Sequence, residues 1–98
     1  MGWVYMLRCR YGSYDVGSAR DLESRLEQHH RGAGAQYTRH RLPVELVWCE
    51  AFESIADAFA LEKRIQGWGR AKREALIRGD FDEISRLAHR RGPQSSQR

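Results

Sequence analysis

Trp3-Val4-Tyr5-Met6-Leu7-Arg8-Cys9-Arg10-Tyr11-Gly12-Ser13-Tyr14-Asp15-Val16-Gly17-Ser18, residues 3–18, reads as a β-hairpin opening a mixed domain. Trp3 to Cys9 is dense in aromatic and aliphatic side chains, the composition of a strand. Arg10-Tyr11-Gly12-Ser13 is a turn, and Tyr14 to Gly17 is a short second strand returning beside the first. Alternation puts Tyr5, Leu7 and Cys9 on one face and Val4, Met6 and Arg8 on the other. Ser18 is placed to cap a helix, with Asp21 at the capping-box position and Leu22, Leu26 and His29 at helical spacing. Gly32 and Gly34 end that helix and open a loop. After Pro43, Val44 to Cys49 alternates as a third strand. Ser54 caps a second long helix ending near Gln66, and Gly67 and Gly69 then break the chain. Ala71 to Ile77 and Asp82 to His89 read as shorter helices. Three strands covered by helices make an α+β domain.

With 98 residues, the chain has room for one hydrophobic core, not two. Residues 1–89 form that domain, and residues 90–98 are expected to be a disordered, polar, basic tail. The mean hydropathy of −0.73 and the lack of a long apolar run exclude a membrane-spanning helix. No basic leader precedes an apolar stretch, so the expected compartment is the cytoplasm. Cys9 and Cys49 form no CxxC pair and read as buried free thiols.

Charge is distributed in blocks. Residues 1–41 carry net +3, residues 42–62 net −5 and residues 63–78 net +5. A nucleic acid would favour the first and third blocks if folding brought them to one face. Plain solvated surfaces are the alternative.

Three features stand out against the pattern. On the first helix, Arg25 and His29 are four residues apart and share a face. A fixed cation beside a titratable ring suits a phosphodiester, although Arg25 could instead pair with Asp21 and His29 lie on the surface. On the second helix, Glu62 falls inside an apolar stripe of Ile55, Ala58, Phe59 and Ile65. A carboxylate there needs a cation, hydrogen-bond donors or a metal. In the loop, Tyr37, Arg39, His40 and Arg41 are phosphate-compatible groups, equally compatible with a solvated loop.

The ordered set of these residues resembles the GIY-YIG endonuclease superfamily, closest to its small stand-alone UPF0213-type bacterial members. The matching pieces are Trp3-Val4-Tyr5, Asp15-Val16-Gly17, residues 21–29 with Arg25 and His29, Gly34-Ala35-Gln36-Tyr37-Thr38-Arg39, residues 43–47, and Glu62 to Trp68 followed by residues 70–77. The resemblance implies a small central three-stranded antiparallel sheet flanked by helices. It implies hydrolysis of nucleic-acid phosphodiester bonds, DNA foremost, with no membrane and no obligate protein partner. Tyr5, Arg25, His29 and Glu62 fall on the family's catalytic positions. Glu62 would hold Mg²⁺ or Mn²⁺, and Tyr37, with Arg39 and Asp15, would contact substrate. Tyr5 would serve as the base if nearby cations lowered its pKa. Two departures mark the chain: Trp3 stands where the first motif has glycine, and Asp15 stands where the second has tyrosine. Tyr14 is adjacent to Asp15 but points to the opposite face unless a bulge re-aims it. Asp15 opens an alternative, a nucleic-acid-binding module of the same fold with weak or lost catalysis. A plain protein-interaction domain is the third reading.

Overall fold

The computed structural model describes residues 1–33 and 40–96. Its elements are β1 (Gly2–Arg8), a 3-10 turn at Arg10–Gly12, β2 (Tyr14–Ala19), α1 (Leu22–His30), β3 (Glu45–Phe52), α2 (Ile55–Gln66), α3 (Arg70–Arg78) and α4 (Phe81–Ser96). The α+β order expected from the sequence is present, with a three-stranded antiparallel sheet ordered β2-β1-β3. Two compact units follow one another along the chain, Met1–Gln66 and Gly67–Arg98.

In the first unit β1 is the middle strand, hydrogen-bonded along both edges, and both its faces are also covered. Tyr5, Leu7 and Cys9 pack with Val44 and with Leu22 and Leu26 of α1. The other face carries Gly2, Val4 and Met6 and meets α2: a Cβ on Gly2 would lie 2.7 Å from the Ile55 backbone. The period-two pattern of β1 thus sorts its side chains between two helices, leaving Val4, Tyr5, Met6 and Leu7 each 1% exposed or less. The β1–β3 register shifts between Met6 and Leu7, and the β1–β2 register runs without a break from Trp3↔Ala19 to Arg8↔Tyr14.

Three local expectations change. Ser18 is not a helix cap, because β2 runs on to Ala19; the cap is Asp21, whose side chain accepts from the backbone N–H of Ser24. Phe59 is not part of the buried stripe of α2; it is 51% exposed, with the Lys63 ammonium 4.7 Å from its ring, while Ala58, Glu62 and Ile65 face inward. Buried positions at 58, 62 and 65 follow the i, i+4, i+7 row of a helix, from which Phe59 is displaced by one residue. The fourth helix starts at Phe81 behind an Asp80 side chain accepting from the Glu83 N–H, and it continues to Ser96 rather than stopping at His89. Ser54 caps α2 as the sequence indicates, its hydroxyl accepting from Ala56 and Asp57. In the second unit α3 and α4 pack on each other.

Candidate active site

Tyr5 is a middle-strand residue whose ring crosses the edge strand β2 at Gly17, its register partner. A Cβ on Gly17 would fall 2.4 Å from the Tyr5 hydroxyl and 2.7 Å from Cζ. The phenol therefore occupies the space a side chain on β2 would need. It reaches α1, where Arg25 and His29, one turn apart, both meet it. Arg25 Nε donates to the Tyr5 hydroxyl at 3.2 Å, and that hydroxyl lies 3.0 Å from His29 Nε2. The Tyr5 and His29 rings are edge-on, with centroids 5.7 Å apart. Arg25 Nη1 also donates to Gln28 at 3.1 Å. The competing pairing of Arg25 with Asp21 does not occur, since Asp21 is spent on capping Ser24, and His29 is fully buried rather than on the surface.

The protonation state of the trio follows from burial. Desolvation pushes the Tyr5 phenol above its ordinary value near 10; the Arg25 hydrogen bond and charge pull down, and the Asp15 and Glu62 carboxylates push up further. The lowering that Tyr5 would need to serve as a resting base is thus absent: one guanidinium does not offset burial. Desolvation, helped by the charges of Arg25 and His30, holds His29 below the usual histidine range, so it is neutral at pH 7. With Arg25 donating to its oxygen, protonated Tyr5 places its own hydrogen on His29 Nε2, which is the arrangement that satisfies all three groups.

Glu62 approaches the same edge strand from the α2 side. Its Oε1 accepts from Ser18 Oγ at 2.6 Å and its Oε2 from Gln66 Nε2 at 2.8 Å. Gln66 Nε2 is also 3.3 Å from the Val16 carbonyl, so β2 and α2 fix the carboxylate together. Glu62 makes no direct hydrogen bond to the trio, but its charge is felt at Tyr5, and it is tied to the residue next to Gly17. Glu62 is 9% exposed and has no ion-pair partner among the described residues. Such a carboxylate, each oxygen holding one neutral donor and a spare lone pair, has the chemistry to anchor a hard divalent cation. No group of three or more His, Cys, Asp or Glu side chains that could hold a metal exists among the described residues. Glu62 would be a single protein anchor, with water and phosphate oxygens completing the shell.

Asp15 lies opposite Leu7, on the Tyr5 face of β2. Because the β1–β2 register is regular, no bulge re-aims Tyr14, which lies beneath the Arg8 guanidinium at 5.9 Å. Tyr37 and Arg39 lie outside the described residues. Ser18, Gln66, Gln28 and Gly17 hold the site but were not singled out by sequence reasoning. Gln66 and Gln28 had a signal, at i+4 from Glu62 and i+3 from Arg25. Gly17 became visible only once the register set it opposite Tyr5.

The GIY-YIG catalytic domain model matches residues 1–75 of this chain. UPF0213 proteins of Staphylococcus aureus, strains N315 and Mu50 among them, are 41% identical over 76 residues, which is 78% of this chain and 93% of theirs. The solution NMR structure of a UPF0213 protein from Bacillus halodurans is similar with a TM-score of 0.53 and 35% identity, covering 89% of this chain and 97% of that one. No helix among the described residues is long and apolar enough to cross a membrane.

Proposed function

The chain belongs to the GIY-YIG family, and from that premise we propose that it is a divalent-metal-dependent endonuclease. Its substrate is nucleic acid, DNA foremost, and its working groups are Tyr5, Arg25, His29 and Glu62. Nuclease-like function is the general property of the family's domain. The observation that carries the finer reading is the hydrogen-bonded chain Arg25–Tyr5–His29 beside a buried carboxylate with no ion-pair partner among the described residues.

Glu62 would hold Mg²⁺ or Mn²⁺, which when bound supplies charge stabilisation at the phosphate and the leaving oxygen. Tyr5 orients the attacking water and takes its proton as its own proton passes to His29 Nε2. That hand-over removes the need for a phenolate at rest, which burial opposes. His29 is suited to receive because it is neutral at pH 7. Arg25 spends two donors on Tyr5 and Gln28, leaving three of its five for the non-bridging phosphate oxygens. Ser18 and Gln66 are positioning residues that keep the Glu62 carboxylate aimed.

The test is nicking of supercoiled plasmid with Mg²⁺ or Mn²⁺, comparing wild type with Glu62→Ala and Arg25→Ala. Loss of nicking in both variants supports the reading; equal residual cleavage in all three identifies a contaminant and ends it. One observation favours a second reading, a nucleic-acid-binding module with weak catalysis. Asp15 sets a carboxylate on the Tyr5 face, where its charge adds to burial in favouring the protonated phenol. A large gain of nicking in Asp15→Tyr supports that second reading, and a loss shows that Asp15 takes part in the first.

A further inference from the structure

A hollow of about 500 Å³ adjoins the trio and shares none of its residues. It is lined by Trp3, Arg20, Asp21, Leu22, Glu23 and Leu26. Trp3 and Tyr5 point to the same face of β1, about 7 Å apart along the strand. Arg25 lies between Leu22 and Leu26 on α1, so hollow and trio share a helix as well as a strand. The volume falls within the span of roughly 300–1,000 Å³ typical of small-ligand sites.

Its chemistry is specific. The half-buried Trp3 indole with Leu22 and Leu26 gives flat apolar walls. At the rim stand the Arg20 guanidinium and the Glu23 carboxylate, both exposed and each without a hydrogen-bond or ion-pair partner among the described residues. Asp21 is occupied by the Ser24 amide and hydroxyl. Two carboxylates against one guanidinium disfavour a phosphate. A flat ring with donors on one edge and acceptors on the other is favoured.

We propose that this hollow is a subsite for an unpaired nucleobase next to the scissile phosphate, with guanine its best occupant. The ring stacks on Trp3, N1–H and the exocyclic amine donate to Glu23, and O6 and N7 accept from Arg20. A base must leave its stack to reach the indole, whether it is flipped from a duplex or lies in a single strand. The position beside the scissile phosphate rests on the nuclease reading; the base-binding chemistry does not.

The first arm is independent of cleavage. The ¹⁵N-labelled chain is titrated with guanosine monophosphate, cytidine monophosphate and inorganic phosphate while the indole N–H of Trp3 is followed, assigned by its loss in Trp3→Phe. Guanosine monophosphate is expected to shift that signal and the amides of residues 20–26 saturably, cytidine monophosphate less, and phosphate to leave Trp3 unmoved. Glu23→Gln, a surface change that leaves the core intact, is expected to weaken the guanosine response about tenfold. No shift at Trp3, or an equal shift with phosphate, overturns the subsite. The second arm measures cleavage of oligonucleotides varied at the base next to the cut, as single strands and as duplexes. A guanine preference lost in Glu23→Gln supports the subsite: confined to single strands it identifies them as the source of the base, and seen in both forms it indicates flipping. Cleavage indifferent to that base overturns the subsite while leaving the nuclease standing. A guanosine shift at Trp3 without metal-dependent cleavage supports the base subsite and overturns the nuclease reading.

Discussion

Gly17→Ala is the sharpest perturbation the molecule offers, because it changes one methyl group and strikes the trio through sterics alone. The new Cβ would sit 2.4 Å from the Tyr5 hydroxyl and 2.7 Å from Cζ, closer than real contacts allow, and Tyr5 is only 1% exposed and has nowhere to retreat. Displacing the phenol breaks a neutral hydrogen bond to His29, worth about 1 kcal/mol, and a charged one from Arg25, worth about 1.5–3 kcal/mol. Forcing a methyl into a packed site adds about 1–3 kcal/mol. Replacing glycine in a strand returns only about 0.5–1 kcal/mol. The expected net loss is about 3–6 kcal/mol, a large part of the roughly 5–15 kcal/mol that holds a domain folded. Urea unfolding and thermal melting both read it, the latter as a fall of at least about 12 °C in Tm. In a Tyr5→Phe background the nearest atom and both hydrogen bonds are already gone, so the same substitution should cost about 2.5–4 kcal/mol less. A Gly17→Ala protein within about 1 kcal/mol of wild type, or an equal penalty in both backgrounds, would refute the placement of Tyr5 over Gly17.

Other outcomes follow from the same geometry. His29 has a folded pKa below its unfolded value near 6.5, so the unfolded chain binds the extra proton first; stability falls as pH drops through about 6.5, and the urea midpoint of His29→Gln should lose part of that slope. Tyr5 has a folded pKa above the ordinary value near 10, so a spectrophotometric titration of the four tyrosines should show a late component that is missing in Tyr5→Phe. Ser18→Ala frees one oxygen of Glu62 and should cost roughly 10–100-fold in activity at limiting Mg²⁺, with partial recovery at high Mg²⁺; an unchanged Mg²⁺ dependence would remove Ser18 from the site. Asp15→Asn removes a charge that opposes ionisation of Tyr5, and should move the alkaline limb of the pH–rate profile to lower pH.

Much of this was legible in the chain because periodicity constrains it strongly. Seven residues of β1 alternating between two buried faces fix which side chains meet each face, and Arg25 and His29 at i, i+4 must share a side of α1. Glu62 betrayed itself as a charge on a buried row. Other features depended on distances no local pattern carries. Ser18 has the chemistry of a cap, and only the extra length of β2 converts it into a donor for Glu62, 44 residues away. Phe59 sits one position off the inward row, a displacement that an apolar count does not register. The pKa of Tyr5 is not legible in the chain for a related reason: the sequence displays cations, but burial is a property of the packed sheet, and here burial is the larger effect.

The dominance of burial at Tyr5 constrains how the trio can work. A buried phenol under one guanidinium remains protonated at neutral pH, so a mechanism starting from phenolate would be starved of active enzyme. A neutral histidine on the far side of the hydroxyl removes the obstacle, provided its Nε2 is empty when the proton arrives. Arg25 enforces that condition twice. Its donor fills one lone pair of Tyr5 and so turns the phenolic hydrogen towards His29, and its charge adds to burial in keeping His29 from protonating early. Arg25→Lys would keep a charge but lose the planar fork that can serve Tyr5, Gln28 and a phosphate together. Its activity should therefore fall towards that of Arg25→Ala while the acid limb set by His29 stays nearly in place. If Arg25→Lys instead cleaves like wild type, charge alone suffices and the shared-donor account of the trio fails.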